Sequence, residues 1–299
     1  MKIWSLGSGS RGNGLVLLSG ERALLVDCGF GPRALVTRLK AIGVAPEQIE
    51  GLVLTHEHQD HAQGAERAQH KFRWPVYASA GTLARLPEIA ARWRRPVESG
   101  TPVAAGDFLL EGVAIPHDAA SPLAFAVTAT ASGARVGIAH DLGAVPEALP
   151  PLFARCDALL IEANHDAEML RTGPYAPSLK ARIRGGRGHI DNAQAGALIA
   201  SLAHPNLRLV ALLHLSETNN TPALAAETVA AQLRRAGVRV SVRAAAGRTP
   251  DALGTVSASG TSGALSVASA STAASASRGS TAMPTPATRR AAEQFSLGL

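Results

Sequence analysis

Cysteine is nearly missing. Cys28 and Cys156 stand far apart with no CxxC pair, which excludes a disulfide framework or a zinc ribbon and suits a reducing compartment. Long apolar runs are missing too. Met1-Lys2-Ile3-Trp4 leads straight to Gly7, Ser8 and Gly9 with no apolar leader, and nothing approaches the roughly 20 apolar residues of a membrane-spanning helix, so a cytoplasmic protein is expected. The glycine-rich turn from Gly7 to Gly14 lacks a GK[ST] ending and a following helix, which argues against a phosphate-cradling P-loop and for a turn between strands. From about Ala252 to Thr288 large apolar side chains are scarce among Ala, Ser, Thr and Gly, a composition that predicts a disordered linker over 248–288.

What remains reads as one globular catalytic domain, residues 1–247, in a chain of 299 residues that is 46% hydrophobic and 17% charged. The net charge of +6, with arginine far outnumbering lysine, favours acidic partners such as nucleic acid. The densest ligand capacity is Thr55-His56-Glu57-His58-Gln59-Asp60-His61, directly after the apolar run Leu52-Val53-Leu54. Residues two apart in an extended chain share a face, so His56 and His58 leave the strand end together toward one cation, and Asp60 and His61 face a neighbouring position. Imidazole and carboxylate suit Zn, Mn or Fe.

The same placement recurs along the chain. His117 follows the strand Val113 to Ile115, Asp141 ends a hairpin built from Ala124 to Thr130 and Arg135 to Ala139, and His214 follows Leu209 to Leu213. Asp141 is the candidate to bridge two cations. His140 should point away from it, and His70 and His204 are ordinary residues. Asp27 ends the strand Ala23 to Val26, either orienting a ligand histidine or forming a turn. Lys180, Arg184 and Arg187 recur at helical spacing, as a solvated face or as a grip on phosphates. A helix from Pro222 to Ala236 and a strand from Val238 to Val242 are expected to finish the domain.

These residues resemble the metallo-β-lactamase superfamily, whose ordered ligands are matched by His56-x-His58-x-Asp60-His61, His117, Asp141 and His214. The YycJ (WalJ) family of nucleases is resembled more closely, through Ser8-Gly9-Ser10-x-Gly12-Asn13, His117-Asp118-Ala119, Glu162-Ala163-Asn164-His165-Asp166, Gly173-Pro174-Tyr175, Gly188-His189 and His214-Leu215-Ser216. Two positions depart from that family: His140 replaces a common threonine, and Ile190-Asp191 replaces leucine-serine.

The resemblance implies an α/β fold, an αββα sandwich of two mixed sheets flanked by helices. It also implies two divalent ions, Zn or Mn, one held by His56, His58 and His117 and the other by Asp60, His61 and His214, with Asp141 bridging. Kinship with RNase Z and RNase J implies phosphodiester hydrolysis by a hydroxide shared between cations about 4 Å apart, with Asp60 and His189 catalytic and Lys180, Arg184, Asn192 and Ser216 touching substrate. A DNA exonuclease of repair or replication is the expectation, and hydrolysis of a small ester, thioester or lactone the alternative. Residues 289–299 end in Gln294-Phe295-Ser296-Leu297-Gly298-Leu299, which resembles the bacterial sliding-clamp-binding motif: Phe295, Leu297 and Leu299 would fill a groove while Gln294 supplies a hydrogen bond. A terminus folded back on its own domain is the other reading.

Overall fold

The computed structural model describes residues 1–258. The first sheet holds β1 (Lys2–Gly7), β2 (Gly14–Ser19), β3 (Arg22–Val26), β4 (Ile49–Val53), β5 (Val76–Ala78) and β6 (Arg94–Pro96). The second holds β7 (Val103–Ala105), β8 (Phe108–Ala114), β9 (Leu123–Ala129), β10 (Arg135–Ala139), β11 (Ala158–Glu162), β12 (Leu209–Leu213) and β13 (Ser241–Ala244). A last strand, β14 (Asp251–Thr255), returns to the first sheet beside β1. Both sheets are mixed. Antiparallel hairpins occupy one half of each, and parallel strands the other, from β3 to β6 and from β10 to β13.

Helices cover the outer faces: α1 (Pro32–Ala41), α2 (Gln59–Ala62), α3 (Ala65–Phe72) and α4 (Ala80–Ala84) belong to the first half of the chain. α5 (Leu149–Phe153), α6 (Ala167–Thr172), α7 (Pro177–Arg184), α8 (Asn192–Ser201) and α9 (Pro222–Arg235) belong to the second. This is the expected αββα sandwich.

The layering follows from apolar alternation in which both faces are buried. Leu24 and Val26 of β3 enter the core between the sheets, while Ala23 and Leu25 pack under α1 and α3. In β12, Leu209, Ala211 and Leu213 face the sister sheet, and Val210 and Leu212 face α8 and α9. A one-residue slip in such a strand exposes nothing apolar, so the usual penalty for lost register is weak. Polar strand ends set the register instead. Arg208 N donates to Asp157 O at 2.8 Å at one end of β11 and β12, and Glu162 and His214 meet at 3.2 Å at the other.

The expected domain boundary at residue 247 needs correction. Asp251–Thr255 pairs antiparallel with β1, Leu253 and Val256 are buried in the inter-sheet core, and the folded unit therefore extends at least through Val256. β13 also begins later than the expected strand at Val238, because Ser241 is the first residue opposite β12, at Leu209.

Candidate metal centre

The parallel strands of both sheets bring their carboxyl ends to one edge of the sandwich, the usual place for a site in an α/β sheet. Asp27 follows β3, the histidine stretch follows β4, Asp141 follows β10, Glu162 ends β11 and His214 follows β12. Three of these residues, Asp27, Asp141 and His214, are left-handed, with φ of 61°, 48° and 53°.

All seven sequence-predicted ligands come together. His56, His58, His117 and Asp141 form one group, and Asp60, His61, Asp141 and His214 a second; within each group the ligand atoms lie within 4.8 Å of one another, and Asp141 belongs to both. Asp141 Oδ2 stands 3.1 Å from His56 Nε2 and 3.2 Å from His61 Nε2, and its Oδ1 stands 3.0 Å from His214 Nδ1. Asp60 Oδ2 lies 3.2 Å from His214 Nε2. His58 and Asp60 are half-buried and the others buried, so the cluster opens to solvent on their side.

Residues behind the cluster fix each imidazole. His61 Nδ1 lies 2.7 Å from Asp27 Oδ2, His56 Nδ1 3.0 Å from Thr55 Oγ1, His117 Nδ1 3.1 Å from the Gly188 carbonyl and His58 Nε2 2.8 Å from the Asp118 carbonyl. A proton on the rear nitrogen leaves the lone pair of the front nitrogen aimed inward, the arrangement typical of metal-ligating histidines. Two of the inward atoms, His56 Nε2 and Asp141 Oδ1, are buried without a hydrogen bond, their contacts being poorly aligned, and His117 Nε2 faces His58 Nδ1 at 3.3 Å. Facing lone pairs in a dry site repel unless a cation or proton lies between them. The donor set therefore fits divalent metal.

Charge agrees with this reading. Burial acts first on every group here, pushing carboxyls up and imidazoles down. The His61 and His214 imidazoles overcome it at Asp141 and Asp60, which both sit well below the usual carboxylate range. His61 and His214 rise well above the ordinary histidine value despite burial, because Asp141 adjoins both. Burial wins at His56 and His117, which fall to about 4.

Three residues absent from the sequence-based ligand set complete the site. Asn13 Nδ2 donates to Asp60 Oδ2 at 3.0 Å and lies 2.9 Å from His61 Nε2. Glu162, wholly buried, lies 2.6 Å from His189 Nδ1 and accepts from Leu142 N at 2.8 Å. His140, the departure from threonine, lies 2.8 Å from Asp27 Oδ2 through its Nδ1 and is grouped with Asp27 and His61 rather than with Asp141. In sequence Glu162 is marked by a carboxylate closing the apolar run Ala158 to Ile161 and by its place at the head of the family-like stretch Glu162-Ala163-Asn164-His165-Asp166, neither of which gives it a role. Asp191, the other departure, accepts from Gln194 N at 2.8 Å and caps α8, a task serine also performs.

The residues expected to touch substrate are placed unevenly. Arg184 is exposed at the end of α7. Lys180 Nζ donates to the Arg171 carbonyl at 2.9 Å. Asn192 is buried and exchanges hydrogen bonds of 3.0 and 2.8 Å with Asn220, and Ser216 Oγ accepts from Asn219 N at 3.1 Å within its own turn. Arg187 donates to the His117 carbonyl at 3.1 Å, and His204 Nε2 lies 3.0 Å from the Cys156 carbonyl. Gln294, Phe295, Leu297 and Leu299 lie outside the described residues. Among the described residues no helix is long and apolar enough to cross a membrane.

Comparison with known proteins gives the same picture. Residues 22–214 match the family model described as the beta-lactamase superfamily domain. The exodeoxyribonuclease WalJ of Streptococcus pneumoniae is 32% identical over 244 residues, covering 79% of this chain and 90% of that protein. The exodeoxyribonuclease YycJ of Bacillus anthracis is 31% identical over 241 residues, with the same coverage of 79% and 90%. Among solved structures, the metallo-β-lactamase fold protein YhfI of Bacillus subtilis superposes with a TM-score of 0.61 at 18% identity, over 83% of this chain and 98% of that one, which is a likeness of fold.

Proposed function

This chain belongs to the metallo-β-lactamase superfamily as a WalJ/YycJ-like member, and from that premise we propose that it is a metal-dependent exonuclease acting on DNA, in the cytoplasm, during repair or replication. One observation carries the reading: two donor groups sharing Asp141 are assembled in a chain 32% identical to an exodeoxyribonuclease over 90% of that protein. We assign a zinc or manganese ion to each group, one held by His56, His58 and His117 and one by Asp60, His61 and His214. Such cations, when bound, offset charge on phosphate oxygens and acidify water.

The chain's own groups do the rest. Glu162 lies 2.6 Å from His189 Nδ1, which leaves the opposite ring nitrogen, Nε2, for the leaving oxygen. Burial lowers the His189 pKa, the Glu162 and Asp141 carboxylates together raise it above the ordinary imidazole value, and Glu162 itself is held at about 2, so the ring keeps a proton to donate. Asp60 is steadied by Asn13 and keeps its carboxylate between His61 and His214. Arg184 is free to meet phosphate. Asn192 and Ser216 support the site by holding the loops around it, and Lys180 would first have to leave the Arg171 carbonyl.

The test is degradation of end-labelled single- and double-stranded DNA and RNA, run beside metal analysis. His189→Ala should keep its metal yet lose turnover by about 10²- to 10⁴-fold. Full activity in that variant removes His189 from the reaction, and hydrolysis of a thioester or lactone panel in place of DNA replaces the nuclease reading. We assign the terminal Gln294–Leu299 peptide to the polymerase sliding clamp. A labelled peptide that gives no shift with purified clamp at about ten times the micromolar Kd usual for weak peptide contacts retires that assignment.

A further inference from the structure

We propose that a second nucleic-acid contact lies at the opposite end of β12 from the metal centre, where an arginine-lined groove grips the phosphate backbone of a long substrate. This rests on the nuclease reading. The groove runs between the carboxyl end of α9 and the approach to β13, has a volume of about 430 Å³, and is lined by Arg234 and Arg239 over Leu233, Val238 and Val240. It continues, through the shared Val238 and Arg239, into a second hollow of about 300 Å³ that adds Arg208 and His204. No carboxylate lines either part.

The three arginines are exposed, and none is in an ion pair among the described residues. Elsewhere on the surface Arg11 and Arg248 share Glu217, Arg171 sits on Glu168 and Arg182 on Asp118, while Arg184 and Arg235 are, like these three, exposed and in no ion pair among the described residues. Two ordinary causes explain part of the pattern. Arg234 offsets the dipole at the end of α9, and Arg239 adjoins an edge strand, where cations deter pairing with another chain. Neither cause reaches Arg208, which comes from the loop before β12 and is anchored through its backbone to Asp157. Two separate segments, the α9–β13 connection with Arg234 and Arg239 and the loop before β12 with Arg208, thus bring three guanidinium groups to adjoining hollows that no carboxylate lines. The chemical complement of that surface is a polyanion with a sugar backbone, which is what the metal centre is proposed to cut.

Length selects the ligand. Arg208 and His214 flank β12, six steps apart along an extended chain, about 20 Å at roughly 3.3 Å per residue. Duplex DNA advances about 3.4 Å per base pair, so a substrate with its end in the metal cleft reaches the groove only beyond about six base pairs.

The experiment uses the full metal-loaded chain, the charge-reversed R208E/R234E/R239E and the neutral R208Q/R234Q/R239Q. Anisotropy of fluorescein-labelled DNA of about 30 base pairs is followed against salt, beside turnover of an end-labelled oligonucleotide of about four nucleotides. Each phosphate contact contributes about 0.9 to the slope of log K against log salt. Both variants should therefore lose about 2 to 3 from that slope on the long DNA, cleave the short one at the wild-type rate and melt at the wild-type temperature. An unchanged slope in an enzyme that cleaves DNA overturns the groove while leaving the nuclease reading intact. So does an equal loss on the short DNA, which would place the arginines in the cleft. Binding of the wild type, lost in the variants, to phosphatidylserine vesicles but not to DNA assigns the groove to a membrane surface and overturns the proposal. A wild type that neither binds nor cuts any nucleic acid fells both.

Discussion

Asp27→Asn is the sharpest test of how the metal centre is held. The Asp27 carboxylate is wholly buried and takes four donors: Thr55 N at 2.9 Å and Thr55 Oγ1 at 3.0 Å on Oδ1, His61 Nδ1 at 2.7 Å and His140 Nδ1 at 2.8 Å on Oδ2. Burial acts to raise this carboxyl, and the two imidazoles nevertheless hold it well below the usual range. Asparagine keeps the shape and tolerates the left-handed backbone at φ 61°. It replaces one acceptor oxygen with an NH₂ donor. If that NH₂ faced Thr55, the buried Thr55 N–H would lose its acceptor, at a cost of about 1–3 kcal/mol. If it faces the histidines, His61 Nδ1 must become an acceptor, and its proton moves to Nε2, the atom directed at Asp60 and Asp141.

The second arrangement keeps the backbone hydrogen bond and should win. In EDTA the protein should then fold and melt within about 4 °C of wild type, a shift worth about 1 kcal/mol in a domain of this size. Its metal affinity should fall about 10- to 100-fold, the loss typical when an orienting partner is removed, equivalent to about 1.4–2.7 kcal/mol. Competition with a chromophoric chelator measures the affinity, and melting with and without EDTA separates fold from metal. Wild-type affinity in Asp27→Asn would refute the claim that Asp27 sets the His61 tautomer.

Two other changes probe the same centre. At Gly29 a Cβ would stand 1.9 Å from Asp60 O and 2.6 Å from Asn13 N, both backbone atoms, so Gly29→Ala should cost about 3 kcal/mol or more, lower the melting temperature by roughly 6–12 °C and weaken metal binding; a variant that melts and binds like wild type would show that the loops give way freely. Chelation of the wild type should lower its melting temperature by about 5–10 °C per cation if metal is present at a hundred times its Kd, since that occupancy contributes about 2.7 kcal/mol. An unchanged melting curve would mean that the cluster is stable on its own protons.

The ligand set was legible because strand ends announce it: His56, His117, Asp141 and His214 each follow an apolar run, and the position just past a buried parallel strand is where a polar side chain has somewhere to go. What was not legible depends on partners distant in sequence. Glu162 is polar in the right place, but its meaning comes from His189 and His214, 27 and 52 positions away. Asn192 stands three residues after His189 and yet faces inward, since the turn before α8 aims it at Asn220. Helical spacing brought Lys180, Arg184 and Arg187 to notice without revealing which of them are already bound to carbonyls. β14 escaped because its one large apolar residue, Leu253, and Val256 just after it gain their burial beside β1, at the other end of the domain.

Backbone strain ties these observations together. Only four non-glycine residues among those described have positive φ, and three of them, Asp27, Asp141 and His214, are in the metal centre; the fourth, Arg73, is an ordinary left-handed end to α3. Each such residue costs roughly 1–2 kcal/mol, so the three together reach about 3–6 kcal/mol, a large part of the 5–15 kcal/mol that holds a domain together. A regular strand would have sent each of these side chains onto a sheet face already filled by leucine and valine. A left-handed residue at the strand end breaks the alternation, and the side chain can be delivered to the rim where the two sheets meet. The surrounding contacts then fix it there: four donors on Asp27, and Ser8 Oγ accepting from His214 N at 2.8 Å. Stability alone gives no reason to hold strain at three converging positions, whereas the need to aim oxygen and nitrogen at shared cations does.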